Sequence, residues 1–252
     1  MIYTKNTKLA LSLMFRTHKD MLDKGGMPYV FHPYHIAEDL FNENEVIVAL
    51  LHDVIEDSEL TIDDLKSYGF PNEAIEAIAL MTHKKDTPYF DYVIRLSKNR
   101  IARRVKMLDL LHNMDATRLN NEPDEKNKKR IEKYKKAYNL LNEISLIGKE
   151  IYVKIDRPLG SSHPTYKNMI YPINYGYIPD VCGGDDEELD AYILGVDEAI
   201  TEFSGVVIGV IMREDDNEGK LIVSSGKKDY TDDEIMEYIN FQEKYFNSKL
   251  IR

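Results

Sequence analysis

The hydrophobic residues of this 252-residue chain change their spacing at Ile147-Gly148, and that change most limits how the chain can fold. Ahead of it, Leu9, Leu13 and Met14, then Ile36, Ala37 and Leu40, then Val46, Leu50, Leu51, Val54 and Ile55 recur at the three- and four-residue intervals of a helix face. Turn-forming stretches such as Lys24-Gly25-Gly26-Met27-Pro28 and Tyr68-Gly69-Phe70-Pro71 separate these helices, and Thr61 with Asp64 forms a capping-box variant. Beyond the change, residues 150–156 alternate, 191–196, 205–212 and 220–224 are strand-like, and helical spacing returns over 231–246. The expectation is a multidomain chain, with an all-α helical bundle over 1–146 and a small α+β domain over 147–252.

A 43% hydrophobic content supplies a core for both domains, and a formal net charge of -11 repels nucleic-acid phosphates and anionic membranes. The single cysteine, Cys182, excludes an internal disulfide framework. The start Met1-Ile2-Tyr3-Thr4-Lys5 lacks a signal pattern, and no apolar run approaches the roughly 20 residues of a membrane span. These features describe a cytoplasmic protein with neither nucleic acid nor membrane as partner; a homo-oligomer stays open.

Within the helical half, Leu50-Leu51-His52-Asp53-Val54-Ile55-Glu56-Asp57 places an imidazole and carboxylates on an apolar wall, where unpaired charge is costly and a cation is wanted. A continuous helix over 45–58 would stack His52 over Glu56 and Asp53 over Asp57. Taken alone, the dipeptide reads first as a buried His-Asp hydrogen bond beside a solvated Glu-Asp pair. Two further segments complete it: Pro28-Tyr29-Val30-Phe31-His32-Pro33, and Lys106 to Met114, with Asp109 and Asn113 at i and i+4. Singly, Asp109 could pair with Arg103 or Lys106. The charged run 122–136 is read as a solvated helix face, with phosphate binding as the less favoured alternative.

Together, His32-Pro33, His52-Asp53 with Glu56-Asp57, and Asp109 with His112-Asn113 resemble the HD phosphohydrolases, most closely the hydrolase domain of the RelA/SpoT-type (p)ppGpp enzymes of the stringent response. The resemblance implies that His32, His52, Asp53 and Asp109 bind one divalent metal, with manganese favoured. It further implies that Glu56 and Asp57 position and deprotonate a water, and that Lys24 and Asn113 contact the nucleotide. The water would cleave the 3′-pyrophosphate, giving GDP or GTP and pyrophosphate. Two positions depart from that pattern: Asp23 and Leu110 stand where the family has arginines.

The second half carries Tyr171-Pro172-Ile173-Asn174-Tyr175-Gly176-Tyr177 and the acidic loop Asp185-Asp186-Glu187-Glu188-Leu189-Asp190, an all-oxygen donor set suited to magnesium. Alone, such a loop is an exposed acidic turn. The pair resembles the family I inorganic pyrophosphatases, which implies a small β-barrel with a flanking helix. It implies Asp185, Glu187 and Asp190 as metal ligands, Mg2+ as cofactor, and Tyr171, Tyr175 and Lys220 as substrate contacts, with Asp156 at an acidic position. Among Glu214, Asp215, Asp216 and Glu218, only Glu218 aligns as a further ligand. Glu187 replaces an aspartate, and Phe246 follows Tyr245 where that family has lysine.

The combined expectation is a hydrolase whose first domain releases pyrophosphate from a nucleotide and whose second hydrolyses it to orthophosphate. The alternative keeps an HD phosphohydrolase of another nucleotide beside a module that binds pyrophosphate or nucleotide without turnover. Tyr177 is read as barrel packing, His35, His83 and His163 as packing or surface residues, and His112 as a structural hydrogen-bonding group.

Overall fold

In the structure, a computed structural model, residues 1–119, 122–184, 187–217 and 219–252 are described. The chain forms two compact units, Met1–Leu141 and Asn142–Arg252, whose border falls inside a helix ahead of the change in spacing.

The first unit is helical: α1 (Lys5–His18), α2 (Phe31–Glu38), α3 (Glu43–Leu51), α4 (Val54–Asp57), α5 (Ile62–Ser67), α6 (Asn72–Met81), α7 (Tyr89–Ser97), α8 (Arg100–Met114), a 3-10 turn at Ala116–Arg118, and α9 (Glu125–Ile144). Its centre is α3, apolar all round from Val46 to Leu51 and fully buried there, as such a helix must be. Helices α1, α2, α6 and α8 pack against it. Thr4 and Thr61 close complete capping boxes, and the Asn42 side chain accepts from the N–H groups of Asn44 and Glu45 to start α3.

The helix expected through 45–58 is interrupted. It stops at Leu51, turns at His52-Asp53 and restarts as α4. The His52 ring takes the Ala49 carbonyl at 2.8 Å, an acceptor that the next helical turn would have used. The break frees Asp53 to face α2.

The second unit comprises β1 (Glu150–Arg157), β2 (Tyr175–Cys182), β3 (Glu188–Leu194), β4 (Glu202–Arg213), β5 (Lys220–Ser224), α10 (Asp232–Glu243) and β6 (Ser248–Ile251). The order β1-β2-β3-β5-β4 closes through β1–β4 pairing into a five-stranded barrel, and β6 extends from β4. Among the described residues, only β3 and β5 pair in parallel. Helix α10 buries Ile235 and Ile239 against a core of Tyr171, Tyr175, Tyr192, Leu194 and Ile222. Strand β2, with Gly176 and Pro179 inside it, was not legible from alternation, and neither was the short β6.

Candidate functional site

Three elements of the first unit converge on one point. The first turn of α2 brings His32, the break between α3 and α4 brings His52 and Asp53, and α8 brings Asp109. His32 Nε2 lies 3.1 Å from Asp109 Oδ1 and 3.8 Å from Asp53 Oδ2. His52 Nε2 lies 2.9 Å from Asp53 Oδ2 and 3.7 Å from Asp109 Oδ1. Donors held ~2.1 Å from a tetrahedral ion stand about 3.4 Å apart, inside this range.

Both imidazoles turn Nε2 to that point. His52 Nδ1 donates to the Ala49 carbonyl, so in the neutral ring Nε2 would carry the lone pair, and Nε2 makes no hydrogen bond among the described residues. Burial, then His32 and Arg118, drive the His112 pKa down to about 4, so this ring is neutral. Its Nδ1 lies 2.8 Å from Arg118 Nη1, which can only donate, and 2.6 Å from His32 Nδ1. His32 Nδ1 therefore carries its proton outward and leaves Nε2 free to ligate.

Positive charge is demanded there. Burial opposes an imidazolium at His52, yet the Asp53 and Asp109 carboxylates hold its pKa well above the ordinary value. Burial likewise acts against ionised Asp109, but Lys106 and the two imidazoles hold it well below the usual carboxylate range. A mixed nitrogen and oxygen donor set of this kind fits manganese, iron or zinc before magnesium. The orphaned His52 Nε2 among carboxylates is the observation that such an ion would answer.

Neighbouring groups fix the ligands. Lys106 Nζ donates to Asp109 Oδ2 at 2.7 Å, Asn113 Nδ2 to Asp109 Oδ1 at 2.6 Å, and the Tyr29 hydroxyl to Asp53 Oδ2 at 2.5 Å. The helix break takes Glu56 and Asp57 off the straight His52-Asp53 stripe, although Asp57 still lines the same cleft as Asp53. Glu56 accepts from the His83 N–H at 2.7 Å, and Asp57 Oδ2 lies 3.2 Å from His18 Nε2. Partial burial raises the Glu56 pKa against that His83 hydrogen bond.

Beside this cluster opens a cleft of about 440 Å³, into which Asp53, Asp57, Asp109 and Asn113 face. Its other walls carry Lys24, Lys106, Arg118 and Arg130, with Tyr89 and Tyr134 as aromatic surfaces. Arg130 and Tyr134 belong to the charged run 122–136, so that run is not wholly a solvated face. Asp23 is a loop brace: one oxygen accepts from the N–H groups of Gly25 and Met27, at 2.8 and 2.9 Å, and the other from Arg118 at 2.7 Å.

In the second unit, Tyr175, Asp190 and Lys220 meet at one end of the barrel wall. Lys220 Nζ donates to Asp190 Oδ2 at 2.7 Å and to the Tyr175 hydroxyl at 2.5 Å, and Tyr175 also donates to Asp190. The Tyr171 ring stands 5.4 Å from that of Tyr175. Arg157 pairs with Asp156, and partial burial pushes the Asp156 carboxyl up, against Arg157 and with the Asp190 charge. Glu187 is exposed in the turn before β3, while Asp185 and Glu218 lie outside the described residues. Tyr177 is half-buried under Lys154.

Residues 124–248 match the family model for inorganic pyrophosphatase. The chain thus carries a pyrophosphatase-like domain and is a hydrolase. Its barrel is similar to an inorganic pyrophosphatase from Neisseria gonorrhoeae, with 19% identity, TM-score 0.33, and 39% of this chain covered against 74% of that one. The pyrophosphatase of Ehrlichia chaffeensis matches with 20% identity, TM-score 0.33, and 41% and 85% covered. A metazoan ortholog of SpoT that hydrolyzes ppGpp matches with 18% identity, TM-score 0.47, and 56% and 87% covered.

Sequence reasoning missed His18, Tyr29, Arg118, Tyr134 and Arg157, named Lys106 only as a bland ion-pair partner, and named Arg130 only within the charged run, with phosphate binding as the less favoured reading. His18 did leave a signal: it continues the buried face Ala10, Leu13, Met14 of α1, where a polar residue is out of pattern. Arg118 left none, because only the folded loop brings it to Asp23.

No helix among the described residues is long and apolar enough to cross a membrane.

Proposed function

We propose that the first unit is an HD-type, manganese-dependent phosphohydrolase that releases pyrophosphate from a (p)ppGpp-like nucleotide, and that the second hydrolyses pyrophosphate with magnesium. The observation that carries the first half is the cluster of His32, His52 and Asp109 with Asp53 beside it, at imidazole-to-carboxylate separations of 2.9 to 3.8 Å, next to a cleft rimmed by cations. A divalent ion in that position supplies Lewis acidity and an acidified water at neutral pH. Asp57, at the cleft wall, orients the attacking water and accepts its proton; Glu56, braced by the His83 N–H, stands beside it. The water oxygen forms a bond to phosphorus, the bond from that phosphorus to the nucleotide 3′-oxygen breaks, and that oxygen leaves as a hydroxyl by taking a proton from solvent. Lys24, Arg118 and Arg130 neutralise phosphate charge, Asn113 contacts the nucleotide, and Tyr89 and Tyr134 offer faces to a base.

For the second half, the pyrophosphatase family match supports pyrophosphate as substrate. Lys220 steadies a phosphate as a point cation, Tyr171 and Tyr175 position it, and Asp190 with Glu187 and Asp185 hold magnesium. One observation favours a binding-only module instead: Asp190 is already paired with the buried Lys220 ammonium. Free pyrophosphate incubated with the chain and magnesium separates the two, since turnover yields orthophosphate and binding alone leaves pyrophosphate intact.

The test of the first half is release of GDP from ppGpp by the manganese-loaded chain, measured by ion-exchange chromatography beside Asp109→Asn. The proposal requires turnover by the parent chain and its loss, by at least 100-fold, in the variant. Equal turnover by the two would overturn it.

A further inference from the structure

His18 is fully buried in the last turn of α1, and neither of its ring nitrogens has a hydrogen-bond partner among the described residues. Burying such groups unpaired costs on the order of 1–3 kcal/mol, and a leucine would fill the same apolar-face position without that cost. The imidazole faces Asp57, with Nε2 3.2 Å from Oδ2. On its other side the Tyr29 ring lies 5.1 Å away, and the Tyr29 hydroxyl donates to Asp53. Helix α1 packs against α4, so the ring is pressed on Asp57 from behind. Asp57 itself reaches the cleft, and its side chain is 30% exposed.

Resting on the hydrolytic reading above, we infer that His18 is a positioning residue for Asp57: its Nε2–H, poised against Oδ2, holds the carboxylate so that Oδ1 is presented to the attacking water. A carboxylate on a single-turn helix facing solvent otherwise samples several rotamers, and only one aims at the reacting phosphorus. Contacts of this kind tighten when substrate and water complete the site. The proton abstracted from water goes to Asp57 Oδ1. His18 acts through Asp57 and touches no reacting atom.

The test compares His18→Leu, which keeps bulk, with His18→Gln, whose amide nitrogen reaches the place of Nε2. With ppGpp and manganese, His18→Leu is expected to lower kcat by about 10–100-fold, the range for losing an orienting partner, with KM and bound manganese unchanged. His18→Gln should recover most of that loss. In an Asp57→Asn background, His18→Leu should cost nothing further, because the group it positions has gone. The inference is overturned if Leu and Gln fall alike, if the loss sits in KM or metal content, or if the double variant is worse than Asp57→Asn. Ring 15N NMR supplies a readout independent of turnover and of folding in the His18 variants: the His18 resonances should move on Asp57→Asn while those of His163 stay put. Unmoved His18 signals would overturn the inference, whereas moved signals in a chain that fails to turn over ppGpp would place the fault with the hydrolytic reading.

Discussion

Asp109 shares its two carboxylate oxygens among a lysine, an amide and an imidazole, all within 3.1 Å. That crowding is consistent with a ligand held in place before any ion arrives. Asp109→Asn keeps the shape and removes the charge, so manganese affinity should fall by more than the roughly 10–100-fold that loss of an outer partner costs. Titration calorimetry reads it, and unchanged affinity would remove Asp109 from the site. Arg118 makes a different prediction, since it braces the 23–27 loop and lines the cleft without reaching Asp109. Arg118→Ala should raise KM for the nucleotide about tenfold, or ~1.4 kcal/mol, with kcat within threefold; a selective kcat loss would contradict this role. At this scale the sequence is uneven evidence. The His-Asp pair and the Asp109-Asn113 spacing are local patterns and could be read directly, whereas Arg118 and Asp23 meet across 95 positions of chain.

Strand β2 explains why the tyrosine-rich segment needs its glycine. A Cβ on Gly176 would fall inside the Lys154 carbonyl oxygen of β1 and 2.8 Å from Ile155 Cα, backbone that has no room to retreat. Gly176→Ala should destabilise the second unit by about 3 kcal/mol, the upper range for overpacking, read as a lowered denaturant midpoint; an unchanged midpoint would mean that β1 shifts freely. The joint between α10 and β4 supplies a pH prediction. Arg213 and Glu243 are each 1% exposed, Arg213 donates to both Glu243 oxygens, and Tyr192 and Ser248 add hydrogen bonds. The Phe246 ring lies under the Arg213 guanidinium at 3.7 Å. Burial works against the Glu243 charge, but Arg213 and then Ser248 hold its pKa below the ordinary value. A depressed carboxyl contributes stability that is fully present above its unfolded pKa of roughly 4.3 and is lost as pH falls through the lower folded value. Glu243→Gln should cost about 3 kcal/mol at neutral pH and flatten the acid-side loss, measured by urea unfolding at pH 7 and pH 3.5. The elements themselves were legible where the period was strong, as in α6, α7, β1, β4 and β5. The break at His52-Asp53 was not, because a side chain competing for a backbone carbonyl leaves no periodic trace.

Across the whole chain, the two halves stand on different observations. A family match over 124–248 spans most of the second unit and the end of the first, and the second unit has a closed barrel with Tyr175, Asp190 and Lys220 at one point. The first is argued from donor geometry and from the field that demands a cation. What joins them is chemistry: one proposed reaction yields the substrate of the other, so Asp109→Asn should abolish both products from ppGpp yet leave hydrolysis of added pyrophosphate intact. Asp190→Asn should do the reverse and let pyrophosphate accumulate. The direct measurement is phosphorus NMR of ppGpp incubated with the chain, manganese and magnesium. The account predicts GDP and orthophosphate, with pyrophosphate passing through only transiently. Unchanged ppGpp, or GDP with pyrophosphate that never declines, would contradict the sequential reading.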